Sequence, residues 1–455
     1  LRTPIQFRTL VIAVLALAAV AAAAEPPRRQ ADRPAPADAL VASLEPEALR
    51  LLAAEVLERN PGLAALRAEA ARAAQVAPQV KALPDPVAGL TAYLLTPETR
   101  VGPQYATATL SQRFPWFGKL PTRERAALAA AAAAAARVEA RRLELVTQVR
   151  TLAMELAFLD AWEREVRADR SILGHYEELA RARYAAGVGL SQAVVKIQAE
   201  ITRDDTRLVE IATRRATLVA RINGLRDRPE HTPVPSFELP APGVPPPVVA
   251  ALRRAALERR PELAAEDAEI ARAEALIELA RLEYKPDVTA GLRYTLVGSR
   301  DDRAARISRP EEDGKDVLGL FASINLPIRK EKLAAGVEEA VQRRLTAEAR
   351  RRDVVAGIEA DLGDLVQRIR LETERLRLFR DVLIRQAEES LRSAEAAYAA
   401  GRLAALDLLD AERVLLDVRT AAARSQADLA VAIARLEGVV GSPLEALTIT
   451  KENQR

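Results

Sequence analysis

The 455-residue chain contains no cysteine, two histidines, one methionine and only 4% aromatic residues. No disulfide can brace it, and no N-terminal cysteine is available to carry a lipid. His175, His231 and Met154 are too few to build an ordinary transition-metal site within one chain, so neither a metal site nor a cofactor is expected. Neither histidine stands in a nucleophile constellation, and no phosphate-cradling glycine loop is present. The chain is therefore expected not to be an enzyme and to draw any energy from a partner. An excess of either charge is also missing, with 67 basic side chains interspersed among 64 acidic ones. That balance leaves no basic stripe for nucleic acid and reads as solvated helix faces.

One long apolar run exists, from Leu10 to Ala24 behind Arg2 and Arg8. About 15 apolar residues fall short of the roughly 20 that a spanning helix needs, and small residues close the run. Residues 1–24 are therefore expected to be a secretory signal peptide cut after Ala24, and 25–45 a flexible segment. With no later apolar run of spanning length, an exported chain either stays in water or enters a membrane as β-strands.

What is present is a duplication. "RNPGLAALRAEAARAA" from Arg59 echoes "RRPELAAEDAEIARAE" from Arg259, and "LPDPVAGLTAYLL" from Leu83 echoes "YKPDVTAGLRYTL" from Tyr284. "LSQRFPWFGKL" from Leu110 parallels "ASINLPIRKEKL" from Ala322. "YAAG" at Tyr184 returns at Tyr398, and "RINGL" at Arg221 returns as "RLEGV" at Arg435. Five matches in one order define a first repeat over 46–227 and a second over 248–441. A Pro-rich linker, 228–247, separates them, and 442–455 is a tail.

Each repeat predicts a helix, a pair of strands and two long helices folded back at Tyr-Ala-Ala-Gly. Val288, Ala290, Leu292, Tyr294 and Leu296 alternate with polar residues, as do Leu318, Leu320, Ala322 and Ile324, and Ala106, Ala108 and Leu110. This length and pattern suit a transmembrane strand, and on pattern alone a soluble hairpin fits equally. In "FPWFGKL", Pro115 ends a strand and Gly118 permits the turn into a helix.

The helices favour the membrane reading. An uninterrupted run of about 65 residues reaches roughly 100 Å and needs equally long neighbours. Leu145, Val149, Leu152, Leu156, Leu159, Val166 and Leu173 form one coiled-coil seam. Val355, Ile358, Leu362, Leu365, Ile369, Leu376, Phe379 and Leu383 form another, interrupted at Glu372. The block Ala126–Ala136 reads as strong helix propensity with close helix approach.

Signal peptide, duplicated halves, two strands per half and two coiled-coil hairpins together resemble the TolC-like outer-membrane factors of tripartite efflux and type I secretion systems. "FPWFGKL" is similar to a segment of the heavy-metal efflux members. The resemblance implies a mainly helical fold with a transmembrane β part: four strands per chain in a 12-strand barrel, continued by an α-barrel, in a homotrimer. It further implies an outer-membrane exit duct with a periplasmic helical extension, embedded in lipid and opened by a periplasmic adaptor and an inner-membrane pump. Tips for adaptor docking would be Gly187, Val188, Gly189 and Leu190 in one hairpin, and Gly401 and Arg402 in the other. Asp407, Asp410 and Tyr398 match the family's pore gate. Ala193 replaces a further gate aspartate, and Arg402 stands one place early, so the closing contacts are expected to differ. The alternative is a soluble periplasmic coiled-coil adaptor or scaffold without a pore.

Overall fold

The computed structural model describes residues 35–241, 248–301, 303, 307–309 and 311–446. The expected signal peptide, most of the segment after it, and parts of the linker, the charged 298–316 loop and the tail lie outside the described residues. Pro36 onward forms a single unit.

The first half runs α1 (Pro36–Ala42), α2 (Glu47–Arg59), α3 (Pro61–Ala74), α4 (Val76–Lys81), β1 (Val87–Ala92), β2 (Glu98–Thr99), β3 (Gly102–Phe114), α5 (Lys119–Ala185) and α6 (Ser191–Leu225). The second runs α7 (Val249–Arg259), α8 (Pro261–Leu282), β4 (Val288–Val297), β5 (Val317–Ile324), α9 (Lys330–Leu378), α10 (Ile384–Ala399) and α11 (Ala405–Val440). A π-helical turn, Phe379–Leu383, joins α9 to α10. Pro61 and Pro261 each open a helix, where a missing N–H costs nothing. Asn60 caps the first of these by accepting from Leu63 N at 3.0 Å.

Three segments are more ordered than their sequence suggests. Residues 36–42, expected within a flexible segment, are helical because Ala37 and Leu40 find buried sites and Asp38 pairs with Arg142 on α5. The linker has no helix or strand over 228–241, yet Asn223 Nδ2 holds the carbonyls of Glu230 and Thr232 at 2.7 and 2.9 Å. Phe237 anchors it in the core beside α2 and α5. At the head of the tail, Ser442 and Leu444 are buried.

The four main strands form one antiparallel sheet in the order β1-β3-β4-β5, with the two-residue β2 paired to β3. Register aligns Ala88, Leu110, Leu292 and Leu320 across all four strands, and likewise Leu90, Ala108, Tyr294 and Leu318. The alternating apolar set therefore shares one face. Polar residues share the other, where Thr107 and Thr295 bond at 3.2 Å and the Arg293 guanidinium lies 5.5 Å from the Phe321 ring centre.

Every first-half seam residue from Leu145 to Leu173 is buried or half-buried, and Ile358 through Leu376 likewise face the core. Ala126, Ala127 and Ala133 are buried where α5 packs on α8. Glu372 interrupts the seam without a loose end: Ser425 Oγ donates to its Oε2 at 2.7 Å and Arg375 pairs with its Oε1 at 3.1 Å. The expected seam fails beyond Leu376, since Phe379 is only half-buried and Leu383 is 40% exposed. Heptad spacing would next bury Gln386, Ser390 and Ser393. Instead Ala387, Leu391 and Ala394 pack inward, each one place later. The π turn supplies the extra residue, keeping the apolar stripe on the core side.

Candidate functional site

Both hairpins end in the same backbone motif. In the first, Val188 N–H bonds Arg183 O at 3.1 Å and Gly187 N–H bonds Tyr184 O at 3.0 Å. In the second, Arg402 N–H bonds Ala397 O at 2.9 Å and Gly401 N–H bonds Tyr398 O at 3.0 Å. These are Schellman caps, which need a left-handed residue at the turn. Gly187 and Gly401 supply it with φ of 73° and 72°. Gly189 serves differently: a Cβ there would sit 2.9 Å from Tyr184 N.

The tips diverge in what they present. Val188 and Leu190 are 71% and 73% exposed. Arg402 is exposed too, and Asp407 and Asp410 face outward from α11 while Leu408 and Leu409 face inward. The two aspartates thus share one open helix face. Asp410 has Arg413 Nη1 at 3.7 Å, and that arginine also bonds Glu200. Tyr398 lies elsewhere, 95% buried in a cluster with Leu173, Ile197 and Leu408.

Arg183, which sequence reasoning passed over, joins the tips. Its Nη1 donates to Tyr398 O at 2.5 Å and its guanidinium lies 5.0 Å from that ring's centre. Arg183 precedes Tyr184, whereas Ala397 holds the matching place before Tyr398, so the repeat itself does not mark the arginine.

Above the tips sits a second unforeseen group. Asp169 of α5, Asp204 of α6 and Glu412 of α11 are 5%, 1% and 4% exposed. Arg207 reaches Asp204 Oδ1 at 2.9 Å. Burial, then hydrogen bonding with Glu412, pushes the Asp169 carboxyl up to about 8. Burial, then its bond with Asp169, pushes Asp204 up to about 7. Beside them, Tyr176 donates to Glu395 at 2.5 Å.

At the other end of the helices the sheet turns its apolar face outward. Leu90 is 78% exposed, Leu318 65% and Leu320 85%. Among the described residues no helix is long and apolar enough to cross a membrane, and no cluster of His, Cys, Asp or Glu is placed to hold a metal ion.

A small sheet with an uncovered apolar face, continuous with paired coiled-coil hairpins, is a fold shared with solved outer-membrane channels. Residues 252–442 match the outer membrane efflux protein family. Comparison with curated proteins found no match. Among solved structures, the outer membrane protein VceC of Vibrio cholerae is similar at 22% identity, over 87% of this chain and 96% of that one, with TM-score 0.71. The open state of the Neisseria gonorrhoeae MtrE outer membrane channel aligns at 20% identity, covering 87% and 89%, with TM-score 0.65. The Campylobacter jejuni CmeC outer membrane channel aligns at 15% identity, covering 90% and 89%, with TM-score 0.68.

Proposed function

We propose that three copies of this chain form a passive outer-membrane exit duct for an efflux or type I secretion system, opened at its helical tip by an adaptor and an inner-membrane pump. The observation that carries the reading is the sheet. Its outward face is apolar, and among the described residues β1 and β5 each lack a neighbour on one side. Lipid satisfies the face but not the edges, because an unpaired strand edge cannot lie in hydrocarbon. Four strands are too few to close on themselves around a hole, and three chains give twelve. A soluble scaffold would leave Leu90, Leu318 and Leu320 in water.

Function divides between the tips. Val188 and Leu190, with Gly187 and Gly189 shaping the turn, offer an apolar docking surface to the adaptor, and Gly401 with Arg402 forms the second docking point. Asp407 and Asp410 line the narrow end as two acidic rings, which favour cations and repel one another across the axis. Tyr398 acts behind the gate, holding the second hairpin against Arg183. The duct does no chemistry of its own.

Fractionation tests the assembly: recovery as a trimer from detergent-solubilised outer membrane is expected, and recovery as a soluble monomer refutes it. Planar-bilayer recording tests the gate. Asp407→Ala with Asp410→Ala is expected to raise conductance and weaken cation selectivity, and unchanged currents would remove the assignment.

A further inference from the structure

The two repeats meet inside one chain where β3 pairs with β4, Leu110 opposite Leu292 and Phe114 opposite Val288. A polar clasp closes the periplasmic end of that seam. Lys119, wholly buried, donates from Nζ to Asp287 Oδ1 at 2.9 Å, to Lys285 O at 3.1 Å and to Glu283 Oε2 at 3.2 Å. Arg113 and the Trp116 N–H bond the same aspartate.

The duplication writes both halves of this clasp a second time. Pro84-Asp85 stands 202 places before Pro286-Asp287, and Ala88-Gly89-Leu90 keeps the same spacing to Ala290-Gly291-Leu292. Lys119-Leu120 recurs 213 places on as Lys332-Leu333, the spacing that also relates Leu145, Val149 and Leu152 of α5 to Ile358, Leu362 and Leu365 of α9. Asp85 and Lys332 are both exposed, and neither side chain makes a hydrogen bond or ion pair among the described residues. Asp85 precedes β1 and Lys332 follows β5, the two open edges.

The edges are also poised for each other. Tyr93 N–H bonds Tyr105 O, so Thr91 and Tyr93 spend their backbone groups on β3, while Ala88, Leu90 and Ala92 turn theirs to the open side. By the same alternation Leu320, Ala322 and Ile324 turn theirs outward from β5.

Resting on the trimeric reading above, we infer that β5 of one protomer pairs antiparallel with β1 of the next in the register of β3 with β4, locked by a Lys332–Asp85 clasp between chains. Transferred through the repeat, with β5 standing 212 places after β3 as Pro327 stands after Pro115, that register sets Ala322 opposite Leu90 and Ile324 opposite Ala88. A slip of one residue would turn the apolar face inward. A slip of two preserves the faces but moves the lysine and aspartate apart by roughly 7 Å. The clasp therefore chooses among registers that the alternation alone leaves equivalent. It is thinner than its model within the chain: the counterpart of Glu283 is Lys81, which holds Glu124 at 2.9 Å, and Asn325 replaces Arg113.

Because the chain has no cysteine, introduced thiols are the only ones. The register places Thr91 and Phe321 in a pair without mutual backbone bonds, the close geometry that a cross-strand disulfide needs. Thr91→Cys with Phe321→Cys is expected to give, on oxidation of the purified trimer, a reducible ladder of dimer and trimer on denaturing gels. Thr91→Cys with Ser323→Cys is expected to give at least tenfold less. Separately, Asp85→Lys or Lys332→Asp is expected to lower the temperature at which the detergent trimer dissociates, and the double exchange to restore at least half the loss. Cross-linking through Ser323 instead, or a double exchange as weak as the singles, overturns the inference while a persisting trimer leaves the assembly reading intact. A wild-type monomer in detergent overturns both.

Discussion

The buried carboxyls of Asp169 and Asp204 make the helical tip region sensitive to pH in a direction that can be worked out. An unfolded aspartate loses its proton near 3.8, whereas burial beside Glu412 keeps the Asp169 proton up to about 8. Between those values the folded chain holds a proton that the unfolded chain has released, so stability falls as pH rises. The contribution is fully present below 3.8 and gone above about 8, the reverse of a salt-bridged carboxylate. Each tenfold step in proton concentration is worth about 1.4 kcal/mol, so raising pH from 6 to 8.5 removes on the order of 3 kcal/mol. Asp204 acts in the same direction but competes for the same protons, so its share is not added. Asp169→Asn keeps the shape and carries no proton to lose. Thermal melting of the detergent-solubilised protein, followed by circular dichroism between pH 6 and 8.5, is the assay. Wild type is expected to lose several degrees across this range and the variant less than half as much, with the variant the more stable at pH 8.5. Parallel curves, or a variant weaker at every pH, would refute the reasoning.

Arg183→Ala removes a charge-assisted hydrogen bond and a cation–π contact, together worth about 2–3 kcal/mol. It should raise amide exchange in 397–406 and increase the frequency of channel opening in bilayers. Lys119→Met leaves Asp287 buried with its one fully buried cationic partner gone and only the half-exposed Arg113 beside it, and should cost about 3 kcal/mol. Adding Asp287→Asn should recover part of that loss, measured by denaturant unfolding. Deleting Val382 should turn the π turn into plain α-helix without disturbing either stripe, and the trimer yield should stay near wild type. Deleting Glu389, which lies beyond the turn, should swing Leu391 and Tyr398 off the core face and abolish the trimer.

Periodic features were legible in the sequence because burial repeats them. Leu145 to Leu173 and Leu292 to Leu320 each obey one spacing, and one spacing fixes one face. The π turn was encoded as well, since the seams of α5 and α9 stand 213 places apart while the two Tyr-Ala-Ala-Gly turns stand 214 apart. Comparing the turns only with each other hides that extra residue, which is why heptad spacing alone predicts burial at Phe379 and Leu383. The polar nodes were not legible. Asp169, Asp204 and Glu412 come from three helices, and Lys119 lies 168 residues from Asp287, so neither spacing nor composition brings them together. Only the fold does that, after which the duplication becomes informative again. Every contact between first and second repeat within a chain has a possible counterpart between chains, and the differences are as telling as the matches. Arg113 and Lys119 bond Asp287, and Glu283 holds Lys119, whereas of these three only Lys119 has a like residue in the second repeat, Lys332, for the proposed clasp with Asp85. The seam inside the protomer is therefore the better braced of the two. In the proposed trimer, that asymmetry would let each chain complete its own sheet before its edges meet those of its neighbours.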